Sequence, residues 1–191
     1  MLTEKDLYDL LLDSGALMEG HFVLTSGLHS DKYVEKFRVL ENPKTLDKIC
    51  EQMYLKFKDT HVDIVIGAAI GGILLASTVA KYFDVKGIFS ERQDGVMTLK
   101  RGFHIPEGSN VLIVEDIVTT GGSIFEIIEL VKTMNVNIIG VSSLVHRCKN
   151  DIDFGCDYKS LLKLKIDTWE PNNLPSHLID VPITKPGSTG K

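Results

Sequence analysis

The chain has 191 residues, 43% of them apolar and 25% charged, with a formal net charge of −5. That length suffices for one domain with a sizeable core, and the composition is that of a folded globular protein. The acidic balance argues against nucleic acid as the main partner. Three cysteines, Cys50, Cys148 and Cys156, form no C-x-x-C pair and no Cys/His cluster with four zinc ligands. So sparse and odd a set indicates free thiols in a reducing compartment.

The opening stretch MLTEKDLYDLL is too acidic and polar for a signal peptide. Residues 3–13 read as an amphipathic helix capped by Thr3, with Asp6 completing a capping box and Leu7, Leu10 and Leu11 forming the apolar stripe. Residues 22–24 and 33–40 read as short strands around a turn at Ser26-Gly27. Residues 44–58 read as a helix, with Leu46, Ile49, Met53 and Phe57 on one face and Pro43 near its start. The longest apolar stretch, residues 64–80, is broken by Gly67, Gly71 and Gly72 and is marginal for a membrane span. A strand over 63–66, a glycine turn and a helix over 73–82 explain it better. Strands over 87–91, 111–114 and 137–145 and a helix over 124–134 continue the alternation, with a hairpin-like insert after 91. Such alternation predicts an α/β fold, a central parallel sheet flanked by helices, whose ligands bind beyond the carboxyl ends of the strands. The expectation is a cytoplasmic protein, no membrane partner, one domain over 1–191 and a mobile tail over 185–191.

The segment that organises the chain is 111–123, VLIVEDIVTTGGS. A continuous apolar strand runs into Glu115 and Asp116, then through Ile117 and Val118 into the small, hydroxyl-rich turn Thr119, Thr120, Gly121, Gly122, Ser123. A helix N-terminus follows, where unpaired amides and a partial positive charge suit a phosphate. The Gly-Lys-Ser/Thr ending of a nucleoside triphosphatase loop is absent. The acids would repel a phosphate but would accept from the 2- and 3-hydroxyls of a ribose. The segment therefore reads as a cradle for ribose 5-phosphate.

Three more strand ends carry chemistry. Ala69, Ile70, Gly71 and Gly72 lie in a glycine turn. Its glycines serve either to expose backbone amides to a pyrophosphate or to pack strand against helix. Arg92 stands just past a strand end, where a guanidinium can clamp pyrophosphate oxygens or simply be solvated. Arg147 ends the last strand, as a surface charge or as the partner of a substrate carboxylate.

VLIVEDIVTTGGS resembles the phosphoribosyl pyrophosphate motif of type I phosphoribosyltransferases. The stretch from Phe22 through Leu24, Ser26, Gly27 and Ser30 to Tyr33 resembles the N-terminal hood of the orotate branch of that family. The resemblance extends to the Glu91-Arg92 segment, His146-Arg147 and the closing Lys185-Pro186-Gly187-Ser188. It implies a type I phosphoribosyltransferase fold with a small hood contributed mainly by residues 1–40. It implies transfer of the phosphoribosyl group from 5-phosphoribosyl 1-pyrophosphate to orotate, with Mg2+ held mainly by the donor and no direct metal ligand from the protein. Glu115 and Asp116 would then hold the ribose, and 119–123 the 5-phosphate. Thr119 and Arg147 would contact orotate, Arg92 the pyrophosphate, and 69–72 would form the pyrophosphate loop. A homodimer is implied, with a flexible loop beginning after Arg92. The chain departs from many relatives at Thr25, Gly71 and Gln93, where they carry lysine. Lys100 or Arg101 is the candidate replacement, unless residues 96–103 form a strand. A transferase for a purine base, uracil or xanthine is the alternative within the class. A nucleotide-sensing regulator is the alternative outside it.

Overall fold

The structure, a computed structural model, describes residues 2–24, 26–148 and 150–185. The departure noted at Thr25, and the tail and closing motif from Pro186 onward, lie outside the described residues. Helix α1, Glu4–Asp13, carries the capping box: the Asp6 amide donates to the Thr3 hydroxyl at 3.1 Å, and the Thr3 amide donates to the Asp6 carboxylate at 2.8 Å. Leu7 and Leu11 are buried.

The main sheet contains β3 (Ile64–Ala68), β4 (Lys86–Gln93), β5 (Val96–Leu99), β6 (Asn110–Val118), β7 (Asn137–His146) and β8 (Tyr158–Lys163), in the order β5-β4-β3-β6-β7-β8. All neighbours are parallel except β4 and β5. Helices α4 (Gly71–Phe83) and α5 (Gly122–Lys132) are crossovers between its parallel strands, and α3 (Pro43–Phe57) leads into β3. Strand period sorts the apolar run of β6 into two layers. Leu112 and Val114 join Ile49, Met53, Leu75 and Val79 on one face, while Val111 and Ile113 join Ile124, Ile127 and Val131 on the other. No helix among the described residues is long and apolar enough to cross a membrane.

A second sheet, β10-β1-β2-β9, draws on both ends of the chain. Strands β1 (Leu17–Val23) and β2 (His29–Val34) form an antiparallel pair. β9 (Thr168–Trp169) joins β2, and β10 (Ile183–Thr184) joins β1. Side chains tie these strands to the later chain: the Ser30 hydroxyl donates to the Asp167 carbonyl at 3.0 Å, and His21 Nδ1 lies 3.1 Å from the Val181 carbonyl oxygen.

Three local expectations are corrected. Residues 33–40 are not one strand: β2 stops at Val34, and Phe37–Leu40 is a single helical turn, α2. A short apolar run does not distinguish the two by period. Here Val39 and Leu40 turn into the core while Phe37 stays exposed. Asn42 then caps α3, accepting from the amides of Lys44 and Thr45 at 3.1 and 3.2 Å. Second, β6 does not end at Val114 but continues through the acids to Val118. Third, Arg92 lies within β4, opposite Met97 of β5. The stretch after it is a tight hairpin, with positive φ at Asp94 (52°) and Gly95 (84°).

Candidate active site

The site forms at the carboxyl ends of β3, β4, β6 and β7. In β6, Glu115 and Asp116 are both buried. The Asp116 amide donates to Glu115 Oε1 at 2.9 Å, and the Ile117 amide donates to Asp116 Oδ1 at 2.6 Å. Burial first, and then the neighbouring Asp116 charge, push the Glu115 carboxyl well above the carboxylate range. Asp116 Oδ2 instead faces the Lys36 ammonium at 2.9 Å. This is a charge contact without hydrogen-bond geometry, since Oδ2 has no hydrogen-bonding partner.

Thr119 and Thr120 are exposed, and Gly121, with φ +77°, turns the chain into α5. The first amides of α5 have no acceptor within the helix, and its dipole points the positive end at the bend. A cavity of about 190 Å³ opens there, lined by Glu115, residues 117–124 and Arg92. Arg92 is already engaged: Nε and Nη2 bind Glu126 at 2.8 and 3.1 Å, and Nη2 donates to Ser123 Oγ at 3.3 Å. It therefore stands over the bend, and could take a ligand only by giving up Glu126.

A second cavity of about 340 Å³ adjoins the first, with residues 33–37 of the hood on one wall, Asp116, Ile117 and Thr119 on the other, and Arg147 at its edge. The Arg147 amide donates to the Val118 carbonyl at 2.8 Å. The Cys148 thiol donates to the Thr119 carbonyl at 2.6 Å. Behind Arg147, buried His146 lies 3.0 Å from the Tyr158 hydroxyl, which lies 2.9 Å from Ser143 Oγ. Burial lowers the His146 pKa and pushes the Tyr158 phenol up to about 12, so the pair is neutral near pH 7. A roomier hollow of about 610 Å³, between residues 146–148 and 150–151 on one side and 163–167 on the other, shares Arg147 but lacks both acids and the bend.

Both readings of the glycine turn apply, at different residues. A Cβ on Gly67 would fall 2.6 Å from the Gly72 carbonyl oxygen, so these two glycines serve strand–helix packing. Gly71 instead faces the acid pair: a Cβ there would overlap Asp116 Oδ2. The Ala69–Ile70 peptide is cis, and the Ala69 amide donates to the Ser90 carbonyl at 2.7 Å. The turn thus reaches the acids, with Ile70 exposed. Lys100, just after β5, is half-buried and lines neither of the two cavities that hold the acids. Lys36 was not singled out in the sequence. It carries no motif of its own, and only its place three residues after Tyr33 of the hood could have drawn attention to it.

The α/β sheet, with this acid pair and bend at its rim, finds its class in comparison with known proteins. The phosphoribosyl transferase domain family matches residues 38–171. The chain belongs to that family, in its type I branch. Over its full length its relatives are orotate phosphoribosyltransferases. The enzyme of Caldicellulosiruptor bescii is 45% identical over 188 residues, covering 98% of this chain and 99% of its own. That of Thermotoga maritima is 43% identical over 182 residues, covering 95% and 97%. The solved orotate phosphoribosyltransferase of Aeropyrum pernix superposes with a TM-score of 0.68 at 25% identity, covering 83% of this chain and 93% of that one.

Proposed function

We infer that this chain transfers the phosphoribosyl group of 5-phosphoribosyl 1-pyrophosphate to orotate, giving orotidine 5-phosphate and pyrophosphate in pyrimidine biosynthesis. The full-length relatives support the reaction. One observation supports the residue roles: the buried acids, the open bend of α5 and the hood cavity share Ile117 and Thr119 as a common wall.

The donor's 5-phosphate accepts from the amides and hydroxyls of residues 119–123. Glu115 and Asp116 take the ribose hydroxyls. The ribose carbon–oxygen bond to pyrophosphate lengthens, and positive charge grows on the ring beside the Asp116 carboxylate, which lowers the barrier because it is fixed in place beforehand. A ring nitrogen of orotate forms the new bond from the hood cavity, with its carboxylate on Arg147 and its ring beside Thr119. Residues 33–37, which wall the cavity, shield the pair so that water does not intercept the ribose. Arg92 and the turn at 69–72 hold the departing pyrophosphate.

Among the described residues no group of three or more His, Cys, Asp or Glu is placed to hold a metal ion. Magnesium commonly binds through substrate phosphates, waters and one or two carboxylates. The acid pair fits that mode: Glu115 and Asp116 would hold the ribose hydroxyls beside a magnesium ion carried mainly by the donor. When bound, the ion supplies neutralisation of the pyrophosphate charge. We further infer a homodimer. Exposed Phe37 of α2 and Ile70 and Leu74 at the start of the adjoining α4 support an apolar contact there. The three free cysteines suit a cytoplasmic enzyme.

The test is orotate consumption followed by absorbance, with and without magnesium, alongside uracil and hypoxanthine. Turnover of either of those bases without turnover of orotate overturns the assignment. Sedimentation as a monomer at micromolar concentration overturns the dimer.

A further inference from the structure

The ribose acid is occupied before any substrate arrives. Asp116 is 3% exposed, and its Oδ2 lies 2.9 Å from Lys36 Nζ. A buried carboxylate needs such a counter-charge, because its removal from water is costly and a partner must offset that cost. Lys36 itself is not buried. About a third of its side chain faces the hood cavity. Its ammonium also stands beside the first glycine turn, since a Cβ added to Gly71 would approach Lys36 Nζ to 3.4 Å. The missing side chain at Gly71 leaves the space that Asp116 Oδ2 occupies, with Lys36 Nζ at its edge. Among the described residues, Lys36 is the cation that forms an ion pair with the acid pair. Arg92 is held on the other side by Glu126.

We propose that Lys36 is a donor-binding residue that exchanges Asp116 for the pyrophosphate of the donor. This rests on the reading of Asp116 as a ribose ligand. The ribose hydroxyls displace the ammonium from Oδ2 and satisfy the carboxylate in its place. The released ammonium sits between that acid and the 69–72 turn, where the leaving pyrophosphate lies. Its charge then opposes the negative charge that grows as the bond to the ribose carbon breaks. The hood thereby contributes to the donor half of the site as well as to the base half.

The experiment uses the full chain as Lys36→Met, Lys36→Arg, Asp116→Asn and the double variant Lys36→Met/Asp116→Asn. Turnover is measured against donor and orotate concentration, and binding of inorganic pyrophosphate with magnesium by calorimetry. Lys36→Met is expected to raise KM for the donor roughly tenfold or more, as loss of one charge-assisted contact implies, with KM for orotate changed less than about twofold. Lys36→Arg should recover most of the loss. Lys36→Met leaves Asp116 without a partner and could harm folding, so the decisive comparison is between Asp116→Asn and the double variant. There the buried charge is already gone, and the double variant should bind pyrophosphate roughly tenfold more weakly. Equal pyrophosphate affinity in those two proteins, or an equal rise in both KM values for Lys36→Met, overturns the proposal. If Asp116→Asn retains full turnover, the assignment of the ribose acid fails instead, and the two failures are thereby told apart.

Discussion

Gly121 lies against the ring of Phe154: a Cβ added to it would sit 2.8 Å from Phe154 Cε1. Its φ of +77° is also one that L side chains rarely adopt. Space and backbone conformation therefore make the same demand at the bend that starts α5. Gly121→Ala should lower stability by about 2 kcal/mol or more, combining left-handed strain with overpacking. Gly122→Ala, whose Cβ would meet only Thr120 Oγ1 at 3.6 Å, should change stability by less than about 1 kcal/mol. Denaturant melts of both variants test the contrast, and equal melts would remove Phe154 as the constraint.

Asp116→Asn keeps the shape of the ribose acid but removes its charge. The hydroxyl contacts weaken from charge-assisted to neutral, and the developing ring charge loses one facing carboxylate. Turnover should fall roughly 10- to 100-fold, on the scale of about 1.5–3 kcal/mol for such a contact. The variant should still melt cooperatively, because Lys36 is partly solvated and tolerates losing its partner. A rate within twofold of the parent would count against the assigned role.

Arg147→Ala separates side chain from backbone. The amide that donates to Val118 at 2.8 Å is retained, so the strand end keeps its place while the guanidinium is lost. KM for orotate should rise by an order of magnitude or so, and KM for the donor much less. Steady-state kinetics with each substrate varied in turn decides this. Equal rises would mean that Arg147 supports the site as a whole rather than the base.

Glu115 makes a prediction in pH. Its carboxyl is raised from 4.5 to about 8, first by burial and then by Asp116. The folded state therefore holds a proton that the unfolded chain has already released across that window. Stability should decline as pH rises from about 5 to 8, the direction set when the folded state binds more protons. Glu115→Gln, neutral throughout, should flatten that slope. Urea midpoints of parent and variant at the two ends of the window provide the measurement, and parallel slopes would show that Glu115 is ionised in the fold.

Much of the fold was legible because its signals are local. Thr3 and Asp6 cap a helix within one turn, the Leu46, Ile49, Met53 and Phe57 stripe needs only helical period, and the apolar run of β6 needs only its length. The acids and the bend were legible together for the same reason, as all lie within residues 111–123. Where local signals tie, the reading failed. Residues 37–40 are too few for period to separate a strand from a helical turn. Arg92 reads as lying just past a strand end because the apolar run stops at Phe89; the insert is hairpin-like in sequence, but only its pairing with β5 carries β4 on through Gln93.

The sequence by itself determined the alternation of elements, the sheet they make and the motif at its rim. Tertiary structure alone decided which chemistry surrounds that motif. It set Lys36 against Asp116, paired Arg92 with Glu126, and built the hood sheet from residues 17–23 and 29–34 together with 168–169 and 183–184. Helix and strand periods follow from backbone geometry that neighbouring residues share. A contact between residues far apart in the chain follows from where whole strands come to rest, and no short window of sequence encodes that.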